Sequence, residues 1–285
     1  MASPLFSTLS YWLVNHPKIA HFTWTEGETL ASSVSFAAVS VAGYLSATFL
    51  LRSAVEILPS LGPRILKPIT AVHSLVLCLL SLIMAVGCTL SIISHAPDAA
   101  ACAKHAICFP LELKPTGPLF FWAHVFYLSK ILEFGDTLLI ILGRSIQRLS
   151  FLHVYHHATV VVMCYLWLRT RQSMFPVALV TNATVHVIMY GYYFLCAIGS
   201  RPKWKRLVTN CQIVQFVLSF VLSGWMLYEH SVGSGCSGFL GWCFNAAFNA
   251  SLLALFLNFH SKNYARTRQV RSEPKGSGFS AEKRD

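Results

Sequence analysis

Residues 69–94 read ITAVHSLVLCLLSLIMAVGCTLSIIS, an apolar stretch of 26 residues without a charged side chain. A membrane-spanning helix needs roughly 20 mostly apolar residues, because each residue rises about 1.5 Å and the hydrocarbon core is about 30 Å thick. The stretch is therefore long enough to cross a bilayer. Soluble domains rarely contain such a run, so this segment decides the fold class and predicts a helical membrane protein.

The composition of the whole chain agrees with this prediction. Of the 285 residues, 55% are hydrophobic and 12% are charged, whereas ordinary soluble domains have about 25% charged residues. A soluble globular fold is nearly excluded. We predict an all-α integral membrane protein with seven transmembrane helices, each bounded by charges or turn residues. The predicted spans are 31–51, 69–94, 118–142, 152–168, 174–199, 207–228 and 238–260.

Lysine and arginine indicate the orientation of these spans, because the cytosolic loops of membrane proteins are enriched in both. With the N-terminus outside, the inner segments hold sixteen of the 22 basic residues and the outer segments hold five. Arg169 and Arg171 oppose this arrangement, since they lie together in one outer loop. The net charge of +11 is thus a topology signal rather than a nucleic-acid footprint, and no nucleic-acid partner is expected. The predicted segments are a lumenal N-terminal segment (1–30), a seven-helix domain (31–264) and a disordered cytosolic tail (265–285).

The nine cysteines do not show the spacing of a metal site, and most of those within spans act as small apolar side chains. Three of them, Cys102, Cys108 and Cys236, fall in the two outer loops. If these loops are lumenal, they are in an oxidising compartment. The sequence then favours a disulfide from Cys102 or Cys108 to Cys236 and leaves the choice open.

Polar side chains interrupt four of the predicted spans. His153, His156 and His157 are spaced i, i+3 and i+4, so their imidazoles share one helix face near the cytosolic start of the fourth span. A lone buried histidine is usually satisfied by a carbonyl or water, but three on one face favour a site. The other sets are Lys130, Glu133, Asp136 and Thr137 in the third span, Asn182, His186, Met189, Tyr190, Tyr192 and Tyr193 in the fifth, and Thr209, Gln212 and Gln215 in the sixth.

Two of these sets have a purely structural alternative. A buried ion pair that only fixes helix packing remains an alternative for the charged set, and interhelical hydrogen bonding remains one for the glutamines. The polar sets nevertheless lie at similar depths in the predicted membrane. Asp136, Glu133, Gln212 and Gln215 lie roughly 8 to 14 Å from the cytosolic ends of their spans, and His186 lies deeper, at about 20 Å. We expect a polar pocket open to the cytosol, with apolar walls continuing toward the lumen, enclosed by the later six helices as a substrate tunnel. Such a cavity suits an amphiphile with a charged head and a buried tail.

Four ordered motifs carry a family resemblance. They are KILEFGDT at 130–137, FLHVYHHA at 151–158, NATVHVIMYGYY at 182–193, and Thr209 followed by QIVQF at 212–216. Together they resemble the signature blocks of the ELO family, the fatty acid elongases that act as 3-oxoacyl-CoA synthases of the endoplasmic reticulum. The resemblance covers about residues 118–264. In the last span His260 stands where a tyrosine is common, which resembles the plant "elongation of fatty acids protein 3-like" branch.

The resemblance implies condensation of a long-chain acyl-CoA with malonyl-CoA to 3-oxoacyl-CoA, CO2 and CoA, through an acyl-imidazole intermediate. His156 maps to the nucleophile, and His153 and His157 to residues that hold its tautomer or steady the oxyanion. His186 maps to a residue that stabilises the malonyl enolate or shares the acyl group. Asp136 and Glu133 would orient the imidazoles, and Lys130 would balance their charge.

The resemblance also implies substrate-binding residues and partners. Basic groups at the cytosolic mouth suit the CoA phosphates, although plain positive-inside charge remains an alternative for them. The implied substrate-binding residues are Asn182, Tyr190, Tyr193, Gln212, Gln215, Lys203, Lys205, Arg206 and Arg266. No metal or cofactor is expected. The expected location is the endoplasmic reticulum membrane, with membrane lipid, a ketoacyl reductase, a dehydratase and an enoyl reductase as partners, and a homodimer is left open.

Two other classes of protein compete with this interpretation. Membrane di-iron desaturases and hydroxylases also use a His-x-x-His-His motif, but they need several histidine boxes to supply iron ligands. This chain has one box, and His73, His124 and His186 are isolated within their spans. A transporter or receptor explains the spans and the buried charges but gives no reason for three histidines on one face.

Overall fold

The computed structural model describes residues 3–55, 57, 62–94, 98–200 and 202–261, and these residues are almost entirely helical. The predicted tail lies outside this part of the chain, as does Arg266. The α-helices are α1 (Pro4–Ser10), α2 (Pro17–Ala20), α3 (Val34–Ser53), α4 (Pro63–Ser94), α5 (Ala99–Ile107), α6 (Pro118–Leu132), α7 (Phe134–Leu142), α8 (Phe151–Thr170), α9 (Phe175–Ala197), α10 (Lys205–Val232) and α11 (Phe239–His260). A π-helical turn, Tyr11–Asn15, and a 3₁₀ turn, Ile146–Arg148, connect some of them.

Every predicted span corresponds to helical structure. Five helices of the described residues, α3, α4, α8, α10 and α11, are long and apolar enough to cross a membrane. This supports a multi-pass membrane protein, whereas crossing by the remaining two predicted spans stays a prediction. The prediction of one continuous helix over 118–142 is wrong, because the segment consists of α6 and α7 joined at Glu133. The Asp136 N–H donates to the Glu133 carbonyl at 3.0 Å, a tight i→i−3 bond that interrupts the α-helical pattern.

Six helices form a closed ring in which each contacts the next. The order around the ring is α4, α6, α8, α11, α10, α9 and back to α4. Helix α3 lies outside the ring, against α7 and α8. The main core cluster fills the side of the ring formed by α4, α6, α8 and α9, where the rings of Phe126 and Trp167 stack with centroids 5.6 Å apart. Gly87 of α4 leaves room for the Trp122 indole, which would collide with any Cβ there.

Connecting segments from distant parts of the sequence meet at one end of this ring. The segment before α3 forms an antiparallel bridge between Thr23 and Thr116, which precedes α6. The loop before α11 bonds to the loop after α8, since the Ser173 N–H donates to the Ser237 carbonyl at 3.0 Å. We call this end the disulfide end, because a disulfide here joins Cys108 after α5 to Cys236 before α11. The structure thus adopts one of the two pairings that the sequence leaves open.

The two arginines that opposed the predicted orientation both have partners at the disulfide end. Arg169 Nε lies 3.3 Å from the carboxylate of Glu26, which also accepts a hydrogen bond from the Tyr165 hydroxyl at 2.8 Å. Arg171 donates to the Leu113 carbonyl at 3.3 Å. The two arginines therefore contact the N-terminal segment and the 108–117 loop. These contacts explain why the end of α8 carries basic residues whichever side of the membrane it faces.

Candidate functional site

The histidine box occupies the first turns of α8, opposite the disulfide end. Ser150 caps this helix by accepting a hydrogen bond from the His153 N–H at 3.2 Å. His153 Nε2 lies 2.8 Å from the Thr137 hydroxyl, which in turn lies 3.1 Å from the Tyr44 hydroxyl. A chain of polar contacts across α3, α7 and α8 therefore fixes the ring of His153.

The other two box histidines are held mainly by ring packing. The His157 ring lies 4.4 Å from the His153 ring and 5.5 Å from the His156 ring, measured between centroids. His156 also stacks on Phe248 of α11 at 6.3 Å. The Nδ1 atoms of His156 and His157 are buried and have no hydrogen-bond partner among the described residues. The box thus presents imidazole nitrogens that remain available to a substrate or water.

A buried ionic cluster lies at the break between α6 and α7. Lys130 Nζ donates to Glu133 Oε1 at 2.7 Å, and their side chains are only 1% and 2% exposed. The same ammonium lies 3.3 Å from His186 Nδ1 and donates to Asn182 Oδ1 at 3.3 Å. His186 Nδ1 also lies 3.3 Å from Glu133 Oε1. The structure therefore brings together four predicted site residues from the third and fifth predicted spans.

Asp136 contacts a histidine outside the box. Its Oδ1 lies 3.1 Å from His73 Nε2, and its Oδ2 accepts from the Tyr190 hydroxyl at 2.7 Å. Glu133 contacts the imidazole of His186. Within the box, His153 is contacted by Thr137, the residue after Asp136. Asp136 therefore links α4, α7 and α9, and its role in orienting the catalytic imidazoles stays a prediction.

His73 is isolated in its predicted span and was not among the predicted site residues. It is the polar group that α4 contributes to the site, and it can approach Asp136 because Gly135 has no side chain. A Cβ on Gly135 would lie 2.7 Å from His73 Cε1, closer than carbon atoms pack. Depth along the helix is the signal that could have found it, since His73 lies near the start of α4, at the same end of the bundle as Asp136.

A small cavity of about 30 Å³ lies beside the box between α8, α9, α10 and α11. A second one of about 10 Å³ shares four lining residues with it and reaches Met174, next to the disulfide end. The first is lined by His156, Val160, Met163, Trp167, Ala178, Thr181, Asn182, Gln215, Phe216, Ser219, Asn245, Phe248, Asn249 and Leu252. Amide and hydroxyl side chains alternate with apolar ones along this wall, whereas the second cavity, toward the disulfide end, is lined mainly by apolar side chains.

Comparison with known proteins assigns the family. The sequence model of ELO, described as the GNS1/SUR4 family, matches residues 29–272. The chain belongs to the ELO family. The Arabidopsis thaliana protein named "Fatty acid elongase 3-like" is 30% identical over 94% of this chain and 96% of its own length. "Fatty acid elongase A" of Dictyostelium discoideum is 29% identical over 90% of the chain and 92% of its own, and "Very long chain fatty acid elongase 5" of Mus musculus is 39% identical over 49% and 46%.

The remaining predicted residues of this ELO chain differ in their proximity to the cavity. Gln215 lines it, whereas the Gln212 amide donates to Met189 Sδ at 3.6 Å. The Tyr193 ring lies under the Arg148 guanidinium at 5.8 Å. The predicted CoA-binding cations Lys203, Lys205 and Arg206 are exposed beside the start of α10.

The donor groups do not form the ligand set that the di-iron alternative requires. Within the described residues, no group of three or more His, Cys, Asp or Glu side chains is placed to hold a metal ion. The box rings pack on each other and on Phe248 instead of converging on one point. His124 is also remote from the box, since it stacks on Phe22 at 5.6 Å. This arrangement disfavours the di-iron desaturase or hydroxylase.

Proposed function

We propose that this protein is a 3-oxoacyl-CoA synthase that condenses a long-chain acyl-CoA with malonyl-CoA, the first step of fatty acid elongation. The names of its ELO relatives support elongation, and the apolar helices support a membrane-embedded substrate. One observation carries the proposal: His156 lines a small cavity between α8, α9, α10 and α11, and a second cavity that shares part of its lining lies toward the disulfide end. An acyl chain that widened this path would have its reacting carbonyl at an imidazole.

In the first half-reaction, an imidazole nitrogen of His156 attacks the thioester carbonyl. The carbon–sulfur bond breaks, CoA leaves as a thiol after taking the imidazole proton, and an acyl-imidazole remains. His157 packs against the attacking ring and against His153, which is itself held at Thr137. A buried imidazole that packs on other rings is favoured in its neutral, nucleophilic form.

In the second half-reaction, malonyl-CoA loses CO2 and its enolate carbon attacks the acyl-imidazole. The new carbon–carbon bond gives 3-oxoacyl-CoA, the carbon–nitrogen bond to His156 breaks, and the released imidazole nitrogen takes up one proton from solvent. The Lys130 ammonium, which also contacts His186 and Asn182, supplies positive charge for the enolate oxygen. Asn182 contacts Lys130 and also lines the same cavity as His156, so the ionic cluster lies close to the proposed position of the reacting carbonyl.

The topology completes the proposal. We propose seven crossings, a tunnel open at the box and closed at the disulfide end, and a cytosolic position for the box in the endoplasmic reticulum membrane. The exposed Lys203, Lys205 and Arg206, together with Arg266, would bind the CoA phosphates at this mouth. The product requires reduction, dehydration and a second reduction, so a ketoacyl reductase, a dehydratase and an enoyl reductase are the expected partners.

A condensation assay tests this function. Detergent-purified protein is incubated with a long-chain acyl-CoA and radiolabelled malonyl-CoA, without reductant, and the products are separated by chain length. We expect a labelled 3-oxoacyl product that His156→Ala lacks. His124→Phe serves as the matched histidine control, since this ring packs on Phe22, and it should retain product formation.

Two outcomes would contradict the proposal. Absence of condensation across a range of acyl lengths, in protein that is folded and contains stoichiometric iron, would favour an oxygenase. Condensation that survives His156→Ala would keep the activity but reject this residue as the nucleophile.

A further inference from the structure

A band of polar side chains crosses the cavity wall beyond the histidine box. The band comprises Thr181, Asn182, Gln215, Ser219, Asn245 and Asn249, contributed by α9, α10 and α11. An unbranched hydrocarbon chain gains nothing from such groups, and in a membrane protein they are costly unless they are paired. Their partners therefore indicate what the cavity is built to hold.

Several members of the band are already paired within the protein. The Thr181 hydroxyl donates to the carbonyl of Val177 at 2.9 Å, one turn back on its own helix. The Asn249 amide donates to the Ser219 hydroxyl at 3.3 Å, joining α11 to α10. These groups have a structural role that needs no ligand.

Asn245 is different. Its side-chain carbonyl oxygen is buried without a hydrogen-bond partner among the described residues, and the residue is only 4% exposed. It lines both parts of the cavity. Buried acceptors are nearly always paired in proteins, so an orphan that lines a cavity indicates a missing donor. The donor is therefore a molecule in the cavity, either a water or a ligand that displaces it.

The position of Asn245 on α11 places this oxygen near the proposed reacting carbonyl. Asn245 precedes Phe248 by three residues on α11, and Phe248 is the ring on which His156 stacks. Asn245 therefore lies about one helical turn, roughly 4.5 Å, beyond the level of the proposed nucleophile, in the direction of the disulfide end. An extended acyl chain attached at His156 would pass it within its first several carbons.

We propose that the cavity accepts an acyl chain bearing a hydroxyl group, which donates a hydrogen bond to Asn245 Oδ1 several carbons from the thioester. A hydroxyl is the neutral substituent that supplies a donor, whereas a keto oxygen or a double bond supplies none. An ammonium would also donate but is too costly to bury in this apolar bundle. The inference rests on the proposed function, because it assigns a substrate class to the same site.

A competition assay with positional isomers tests this inference. Hydroxyacyl-CoAs of one chain length, with the hydroxyl moved one carbon at a time along the first half of the chain, compete with the unsubstituted acyl-CoA for condensation. We expect one short range of positions to be preferred about two- to tenfold in kcat/KM, the size of one hydrogen bond. Positions outside this range should be disfavoured.

Two variants separate the hydrogen bond from general effects on the cavity. Asn245→Leu keeps the number and branching of the side-chain heavy atoms and removes an unpaired acceptor, so it should fold and should lose the preference. Thr181→Val is the matched control, because it removes a wall hydroxyl that already bonds to its own helix, and it should keep the preference. The thermal shift on ligand binding gives a readout that is independent of turnover. With Asn245 present, we expect a larger shift for the preferred hydroxyacyl-CoA than for the unsubstituted acyl-CoA, and with Asn245→Leu we expect equal shifts.

The outcomes are distinguishable from those for the proposed function. If the plain acyl-CoA is condensed but no hydroxyl position is preferred, or if Asn245→Leu keeps the preference, the inference is wrong and the condensing enzyme stands. If neither plain nor hydroxylated acyl-CoA is condensed, the proposed function is wrong and the inference fails with it.

Discussion

At the scale of single residues, direct side-chain contacts hold the carboxylates and imidazoles of the site. Asp136 is held by His73 from α4 and Tyr190 from α9, and Glu133 is held by Lys130 and His186. A buried ionic group that loses its partner is strongly destabilising, because the remaining charge stays away from water. Small steric changes near these contacts should therefore affect both activity and stability.

Gly135 offers a direct test of the Asp136 contact. In Gly135→Ala, the new methyl group would lie 2.7 Å from His73 Cε1 and must displace this ring. We expect a loss of about 1–3 kcal/mol in stability, typical of overpacking, and a decrease of roughly tenfold or more in condensation rate. Gly43→Ala is the control, since nothing lies within 4 Å of its Cβ position. Equal thermal stability and activity for both variants would reject the role of this close approach.

The sequence predicts the chemistry-bearing residues better than their partners. The box, Lys130, Glu133 and His186 stand out because imidazoles and charges are rare in apolar spans. Contacts of His73 with Asp136 and of Tyr44 with Thr137 join positions 63 and 93 residues apart, so helical periodicity contains no information about them. Asn245 was missed for the same reason, because whether a polar group in a span is paired depends on neighbouring helices.

At the scale of helices, the interruption at Glu133 and the closed ring position the site. The seven apolar stretches predict the helices well, since length and hydropathy determine them. The turn between α6 and α7 escapes prediction because residues 118–142 contain no proline after Pro118 and no glycine except Gly135. An isolated glycine inside a helical pattern is tolerated, so it does not by itself predict a break. The interruption arises from a backbone bond between Asp136 and Glu133.

The disulfide between Cys108 and Cys236 closes a segment of 128 residues that contains α6 to α10. Removing it in Cys108→Ala/Cys236→Ala should lower the free energy of unfolding by about 2–4 kcal/mol, because the unfolded chain gains freedom. A thermal melt of detergent-solubilised protein measures this effect. Cys243→Ala is the control, because this cysteine is free and exposed.

The same loss of stability in the control would show that cysteine replacement alone accounts for it. A double variant as stable as the unmodified protein would show that the disulfide does not stabilise the ring.

At the scale of the whole molecule, the structure separates two ends of one bundle. The N-terminal segment, the 108–117 loop, the loop after α8 and the loop before α11 meet at the disulfide end. The box and the exposed cations beside α10 lie at the other end. Arg169 and Arg171 have partners at the disulfide end. Which end faces the cytosol stays a prediction from the basic residues.

Glycosylation scanning tests this orientation. Asn-x-Thr sites inserted in a spacer after Gly233, at the disulfide end, should be glycosylated in the endoplasmic reticulum. The same insertion after Gln147, at the box end, should remain unmodified, as should Asn182 and Asn249, whose native sequons lie within helices. Modification at the box end would place the histidines in the lumen and contradict a cytosolic reaction.

The central claim is that His156 carries the acyl group, and trapping this intermediate tests it most directly. Purified protein is incubated with an acyl-CoA labelled in its acyl group, without malonyl-CoA, and peptides are analysed by mass spectrometry while released CoA is quantified. We predict release of about one CoA per active site and an acyl adduct on His156, absent from His156→Ala. An adduct confined to His186, or condensation without any acyl-enzyme, would contradict the account.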